Sequence, residues 1–318
     1  MIHARSGLLA LALTASAAVG GAQAAPAAKK TAAAPAAAST PAKPAPAGAA
    51  ATPCDALADD PEDPFRLTAG VAQHLIDPAK AIPACQAAIA ANDNDGRAWY
   101  GLSRAMQRNN DQAGMGNAIQ RAAERQYPIA ESMVGMMYMQ AGQPQQAAIL
   151  VQRAAEAGYL PAQTIIAQFY MSGNGVPKDP AQGIVWLRKA SDQNYALAQT
   201  NLSLAYHNGL GVPQDDAQAY QWAKKAADQN YAPAQSQIGA MYVNGWGVKK
   251  DSKVAFGWFL KAAEQGYPQA QAQLGVMYHN GDGVPVNDTK AIEWLQKAAD
   301  YPYPPAKTLL DALKSASK

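Results

Sequence analysis

Along residues 198–233, AQTNLSLAYHNGLGVPQDDAQAYQWAKKAADQNYAP, apolar and small residues recur at helical rather than strand spacing. Ala198, Leu202, Ala205 and Tyr206 share one face of a first helix. Ala219, Trp222, Ala223 and Ala226 share one face of a second, with Lys224 and Lys225 turned to solvent. Asn208-Gly209 supplies a stop, because glycine adopts the left-handed conformation that closes a helix. Asp215 or Asp216 supplies the next start, its carboxylate accepting from free backbone N–H groups. Asn230-Tyr231 closes the second helix. The pattern predicts a helical hairpin.

That hairpin recurs with a period of 36 over 162–197, 198–233, 234–269 and 270–305, without insertion. Ala198, Ser203 and Ala226 return as Ala234, Gly239 and Ala262, then as Gly275 and Ala298. Small side chains let neighbouring helices approach, while Tyr206 and Trp222 fill the wider gaps. Trp186, Trp222, Trp258 and Trp294 share the period and are expected in the core. Units that each bury a neighbour's face stack into a helical solenoid. Upstream, 130–161 is a shorter unit without the NGxGV insertion and 98–129 reads as a hybrid. PAKTLLDALKSASK offers a final covering helix, with Lys307 and Lys314 on its wet side.

The motif Ala-x3-Leu-Gly-x2-Tyr-x2-Gly-x-Gly-Val, then Asp, then Lys/Gln-Ala-x2-Trp-x2-Lys-Ala-Ala, resembles the Sel1-like repeat family, a relative of tetratricopeptide repeats. Residues 66–96 resemble a tetratricopeptide unit, with Ala81, Cys85, Ala88 and Asp93 near that family's signature spacings. The resemblance implies an all-α, right-handed solenoid of about seven helical hairpins. It divides into a tetratricopeptide-like unit (66–96), a hybrid (97–129), a short repeat (130–161), four Sel1-like repeats and a capping helix (306–314). It also implies a non-enzymatic adaptor or regulator that binds proteins on a concave face lined by first helices. Positions that vary on that face are the candidate specificity set: Ile165, Asn201, Gln237 and Gln273, with Met171, His207, Val243 and His279 near the helix end.

The N-terminus changes where such a protein would act. MIHAR, the apolar GLLALALTASAAVGG and the small-x-small AQA (Ala22–Ala24) read as an export signal over 1–24. Residues 25–53, almost all Ala and Pro, are expected to form a disordered tether, and the repeat domain is expected over 54–318. Export places the chain in the periplasm or outside the cell, where Cys54 and Cys85 are expected to pair. Closing that loop would stabilise by about 3–4 kcal/mol on the chain-entropy model. A lipid-anchored Cys54 is the alternative.

Charge and chemistry narrow the rest. Of 26 basic residues, Arg5, Lys29, Lys30 and Lys43 precede Cys54, leaving 22 basic against 24 acidic beyond it. That balance carries no basic stripe for nucleic acid. GLGVPQ lacks the third glycine of a phosphate loop and follows a helix rather than a strand. Asp215 and Asp216 read as caps, matched by Asp179, Asp251 and Asp288. His207 and His279 lie two repeats apart, about 20 Å for stacked helices, too far to share a metal. Each could contact a ligand or simply be solvated. No nucleophile–base pair, cofactor or metal site emerges. Trp246 fills the loop slot held by Asn174, Leu210 and Asp282 elsewhere, either as a binding anchor or folded on its own repeat. Two other functions stay open: an envelope-glycan or peptidoglycan module, and an enzyme like the secreted family members linked to β-lactam hydrolysis.

Overall fold

The computed structural model describes residues 50–316 apart from 302, and every regular element among them is helical. The expected signal 1–24 and the tether as far as residue 49 lie outside the described residues. Contacts divide the chain into two compact units that meet in sequence at Tyr195–Ala196.

In the unit ending at Tyr195, a short helix α1 (Pro53–Ala58) and a 3₁₀ turn (Gln73–Leu75) precede α2 (Pro78–Ala91). Three hairpins follow: α3 (Gly96–Arg108) with α4 (Gln112–Glu124), α5 (Pro128–Gln140) with α6 (Pro144–Glu156), and α7 (Leu160–Ser172) with α8 (Pro180–Ser191). The unit from Ala196 holds α9 (Ala196–Asn208) with α10 (Asp216–Asp228), and α11 (Ala232–Asn244) with α12 (Ser252–Glu264). It ends with α13 (Pro268–Asn280), α14 (Asp288–Ala299) and the covering α15 (Pro304–Ala316), whose Leu309, Leu310 and Leu313 are buried against Leu295.

Within each hairpin the two helices approach where the sequence is small. A Cβ on Gly239 would lie 2.9 Å from the Phe259 ring, and one on Gly275 would lie 2.6 Å from Leu295. Ser203 occupies the same register and uses the proximity differently, its hydroxyl donating to the Ala219 carbonyl at 2.6 Å.

The loop glycines have two distinct roles. The first of each pair closes a first helix in the left-handed conformation, as at Gly173, Gly209, Gly245 and Gly281 (φ 66–82°). The second is also left-handed, and it sits on the first carbonyl of the preceding repeat's second helix. A Cβ on Gly175 would lie 1.9 Å from the Pro144 oxygen, on Gly247 2.1 Å from that of Asp216, and on Gly283 2.4 Å from that of Ser252.

The start of each second helix is capped as expected, with one correction. Asp179, Asp215 and Asp251 accept from the backbone N–H three residues on, at 2.9–3.0 Å. In the last repeat the cap is Asn287, accepting from Lys290. Asp288 stands one residue too late for the period of 36 and serves another purpose below. The repeat tryptophans also need correction: Trp186 is buried, but Trp222, Trp258 and Trp294 are half-buried. One face of each is covered by the lysine three residues on, Lys189, Lys225, Lys261 or Lys297, 3.9–4.4 Å from the ring.

Residues 66–96 hold one full helix, α2, rather than a pair. Its companion is α1, joined to it by the Cys54–Cys85 disulfide, and both sulfurs pack where Gly101 leaves room on α3. Between α1 and the 3₁₀ turn, residues 59–72 form a strap over α3. Buried Asp55 pairs with partly buried Arg97 at 2.6 Å. Arg104 donates to the carbonyls of Ala58 (2.8 Å) and Val71 (2.9 Å), and Gln73 donates to the Arg104 carbonyl. These bonds satisfy backbone groups that irregular chain would otherwise bury unpaired.

Two glycine substitutions separate the roles. Gly247→Ala must shift helix backbone and hold a left-handed residue, so denaturant unfolding should show a loss of about 2–3 kcal/mol. Gly257→Ala, mid-helix with nothing within 4 Å, should be neutral or stabilise by up to about 1 kcal/mol.

Candidate recognition surface

The first helices carry a register that differs from repeat to repeat beside one that does not. Ile166, Leu202, Ile238 and Leu274 are fully buried and always apolar. Immediately before each stands Ile165, Asn201, Gln237 or Gln273, all half-buried. The shorter repeat shows the same pairing, with Val134 buried and Met133 exposed. One position thus belongs to the core and its neighbour is left to the surface. Gln237 is the most constrained of the set, since its Nε2 donates to the Ser203 hydroxyl at 2.8 Å. It therefore links α11 to α9 while Ser203 links α9 to α10. Ile165 lies in the unit ending at Tyr195; the three amides lie in the other.

At the helix ends the two histidines share an arrangement. His207 Nδ1 lies 2.6 Å from Asp216 Oδ1, and His279 Nδ1 lies 2.7 Å from Asp288 Oδ1. This explains the displaced Asp288: in both repeats the acid after the cap faces the imidazole nine residues before it. Trp246 stacks on His207, with ring centroids 4.2 Å apart and planes tilted by 40°, and stays 36% exposed. The indole therefore rests on the preceding repeat rather than on its own. In the last repeat its slot holds Asp282, which accepts from Asn280. Met171 is half-buried beneath Gly183, and Val243 is exposed.

The unit ending at Tyr195 adds features that the repeat pattern alone did not show. A cleft of about 520 Å³ is bordered by Asp60 and Glu62 of the strap, Tyr100 and Arg104 of α3, Met115, and Met133 of α5. Met133 and Met137 are exposed one turn apart on α5, and flexible thioethers adapt to varied apolar surfaces. A second cleft of about 250 Å³, bordered by Tyr138, Ile149 and Arg153, opens between α5 and α6. Among the described residues no three His, Cys, Asp or Glu side chains could hold a metal. No helix among them is long and apolar enough to cross a membrane.

Glu131 was missed by pattern reading. It is buried at 1% exposure, and burial pushes its carboxyl up to about 7 against the opposing pull of Arg153. Arg153 Nη2 lies 2.8 Å from Oε1, an ion pair by distance that is not aligned as a hydrogen bond. The corresponding positions of the full repeats hold Gln163, Gln199, Gln235 and Gln271. Gln163 and Gln271 donate Nε2 to the carbonyl eight residues earlier, at 3.1 and 3.2 Å. An ionised glutamate cannot make that bond. Aligning the repeats on AES, AQT, AQS and AQA would have exposed it.

Comparison with known families places five Sel1 repeats on this chain, over 128–159, 160–195, 196–231, 232–267 and 268–300. Among solved structures the chain is similar to a protective antigen of uropathogenic Escherichia coli strains that displays an SLR fold. They share 30% identity over 71% of this chain and 50% of that one, with a TM-score of 0.60. It is also similar to a Sel1 repeat protein from Oxalobacter formigenes, at 26% identity over 67% of this chain and 86% of that one, TM-score 0.58. The chain spans half the length of the Escherichia coli antigen. No curated protein matches it.

The first matched repeat contains Glu131, which makes its departure from glutamine testable. A carboxyl raised from 4.5 to about 7 on folding contributes stability that is present below pH 4.5 and lost as pH rises through 7. Glu131→Gln removes that dependence and can donate to the Ala123 carbonyl. Denaturant unfolding should show the variant more stable than wild type by about 1–2 kcal/mol at pH 8. At pH 4.5 the difference should vanish.

Proposed function

The chain belongs to the Sel1 repeat family, whose members are in general protein-interaction modules, and from that premise we propose that it is an exported, non-enzymatic adaptor or regulator of an envelope complex. Its partner binds on the first-helix face. One observation carries this reading: the register of Met133, Ile165, Asn201, Gln237 and Gln273 is open to the surface and changes from apolar to amide along the chain, while the adjoining buried register stays apolar. A scaffold that fixes the backbone and frees one side chain per repeat suits recognition by side-chain choice. In the unit from Ala196 the three amides, with His207 and His279 at the helix ends, form the proposed contact set; Ile165 is the proposed contact of the other unit. Trp246, held on His207 with part of the indole open, is the proposed aromatic anchor.

Export to the periplasm is supported by the Cys54–Cys85 bond, which forms in oxidising compartments, and by the signal-like sequence of residues 1–24.

A photo-crosslinker at position 237 or 246 in living cells, combined with retention on purified cell wall, tests this reading. Capture of a discrete protein from the periplasmic fraction, with no wild-type chain retained on cell wall, is the expected result. Retention on cell wall without protein capture at either position would replace the adaptor with an envelope-glycan module.

A further inference from the structure

From α5 onward, a tyrosine stands immediately before each first helix and before α15: Tyr127, Tyr159, Tyr195, Tyr231, Tyr267 and Tyr303. The backbone there is constant. φ and ψ are −75° and 118° at Tyr127, −80° and 109° at Tyr231, and −74° and 111° at Tyr267. None of these three tyrosines caps its helix through its side chain. The phenol is thus delivered in the same way at these three and is left free for another use.

In the unit ending at Tyr195 that use is visible. The strap brings acidic residues onto the tyrosines. The Tyr127 hydroxyl donates to Asp63, and Tyr100, whose ring centroid is 5.4 Å from that of Tyr127, donates to Asp60 at 3.0 Å. Phe65 adds an edge contact to the Tyr127 ring at 6.4 Å. Tyr127 is 8% exposed and Asp63 1%, so the acid and the phenol exclude water from each other. Burial raises the Tyr159 phenol above its usual value, with Tyr195 and then Asp63, Asp60 and Glu62 adding to it. The chain therefore contains a bound example: an acidic segment, Asp60-Pro-Glu-Asp63-Pro-Phe65, seated on one repeat-boundary phenol, Tyr127, and on the adjoining phenol of Tyr100 within α3.

In the unit from Ala196 the same phenols have no such cover. Tyr231, Tyr267 and Tyr303 are half-buried, and their hydroxyls have no hydrogen-bond partner among the described residues. Burial alone raises Tyr231 and Tyr303. Tyr267 is pushed up to about 12 by burial, with Tyr231 and Tyr303 adding, and no carboxylate contributes. All three stay protonated donors at neutral pH. The three stand at the same place in successive repeats, directly before α11, α13 and α15, and so recur as a ladder.

Resting on the protein-binding reading above, the geometry points to Tyr231, Tyr267 and Tyr303 as a docking ladder for an acidic segment of a partner protein, whose carboxylates accept from the phenols as Asp60 and Asp63 do from Tyr100 and Tyr127. Stacked helix pairs advance about 10 Å per repeat. An extended chain advances about 3.3 Å per residue, so one carboxylate every third residue matches the ladder. Charge-assisted hydrogen bonds of this kind are shorter and stronger than neutral ones.

A fluorescein-labelled peptide with aspartate at every third position, titrated into the full chain and followed by anisotropy, tests the proposal. Saturable binding is expected, weakened at least tenfold by Tyr231→Phe/Tyr267→Phe/Tyr303→Phe and by replacing the peptide's aspartates with asparagine. Tyr127→Phe should leave it unchanged. A crosslinker on the peptide should mark α11, α13 or α15 of the unaltered protein, a readout that does not depend on the variant folding. No saturable binding, binding indifferent to the triple substitution, or crosslinks confined to residues 53–140 would overturn the proposal. If one of these results accompanies capture of a protein at position 237 or 246, the adaptor reading stands and only its acidic ligand falls.

Discussion

In three of the glycine-pair loops the second glycine comes so close to a backbone carbonyl of the preceding repeat that no side chain fits there. Gly175, Gly247 and Gly283 press on Pro144, Asp216 and Ser252, each the first residue of a second helix. A contact between backbone and backbone cannot be relieved by a rotamer change, so within each unit it fixes how one hairpin is set against the next. The small residues inside each hairpin, Gly239 against Phe259 and Gly275 against Leu295, fix the other spacing. Together they hold the core with modest apolar volume: most of the fully buried positions are alanine, and few larger apolar side chains fill what remains.

Because the backbone is set in this way, side chains beside the core register are free to differ. Met133 and Ile165 are apolar and Asn201, Gln237 and Gln273 are amides, although each adjoins a buried aliphatic residue. The same freedom explains Trp246, which takes a slot held by Asn174, Leu210 and Asp282 elsewhere and settles on His207 without disturbing the loop. Where the chain lacks a full repeat, at its N-terminal end, a different device is used. The disulfide, the Asp55–Arg97 pair and the bonds from Arg104 tie an irregular segment onto α3.

Much of this was legible in the sequence, for reasons tied to particular residues. The period of 36 located the hairpins, the first loop glycines marked the helix ends, and Asp179, Asp215 and Asp251 marked the starts, because each of those signals is local. The second glycine's role was not legible, since its reason is a carbonyl about 30 residues away. Asp288 was misread as a cap because an adjacent asparagine, Asn287, serves equally well and sits in register. The strap escaped because its contacts, Asp60 to Tyr100 and Asp63 to Tyr127, span 40 and 64 residues and follow no period. The disulfide was expected from compartment alone, and its seat on Gly101 came only with the structure.

The central claim is that recognition lies in first-helix side chains which the fold does not need. The double variant Asn201→Ala/Gln273→Ala, which spares the bond from Gln237 to Ser203, separates the two most directly, when its melting temperature and its capture of a partner in cells are measured on the same protein. The account predicts melting within about 3 °C of wild type, as for a change of under about 1 kcal/mol, together with loss of capture. A large drop in melting temperature with capture intact would contradict it.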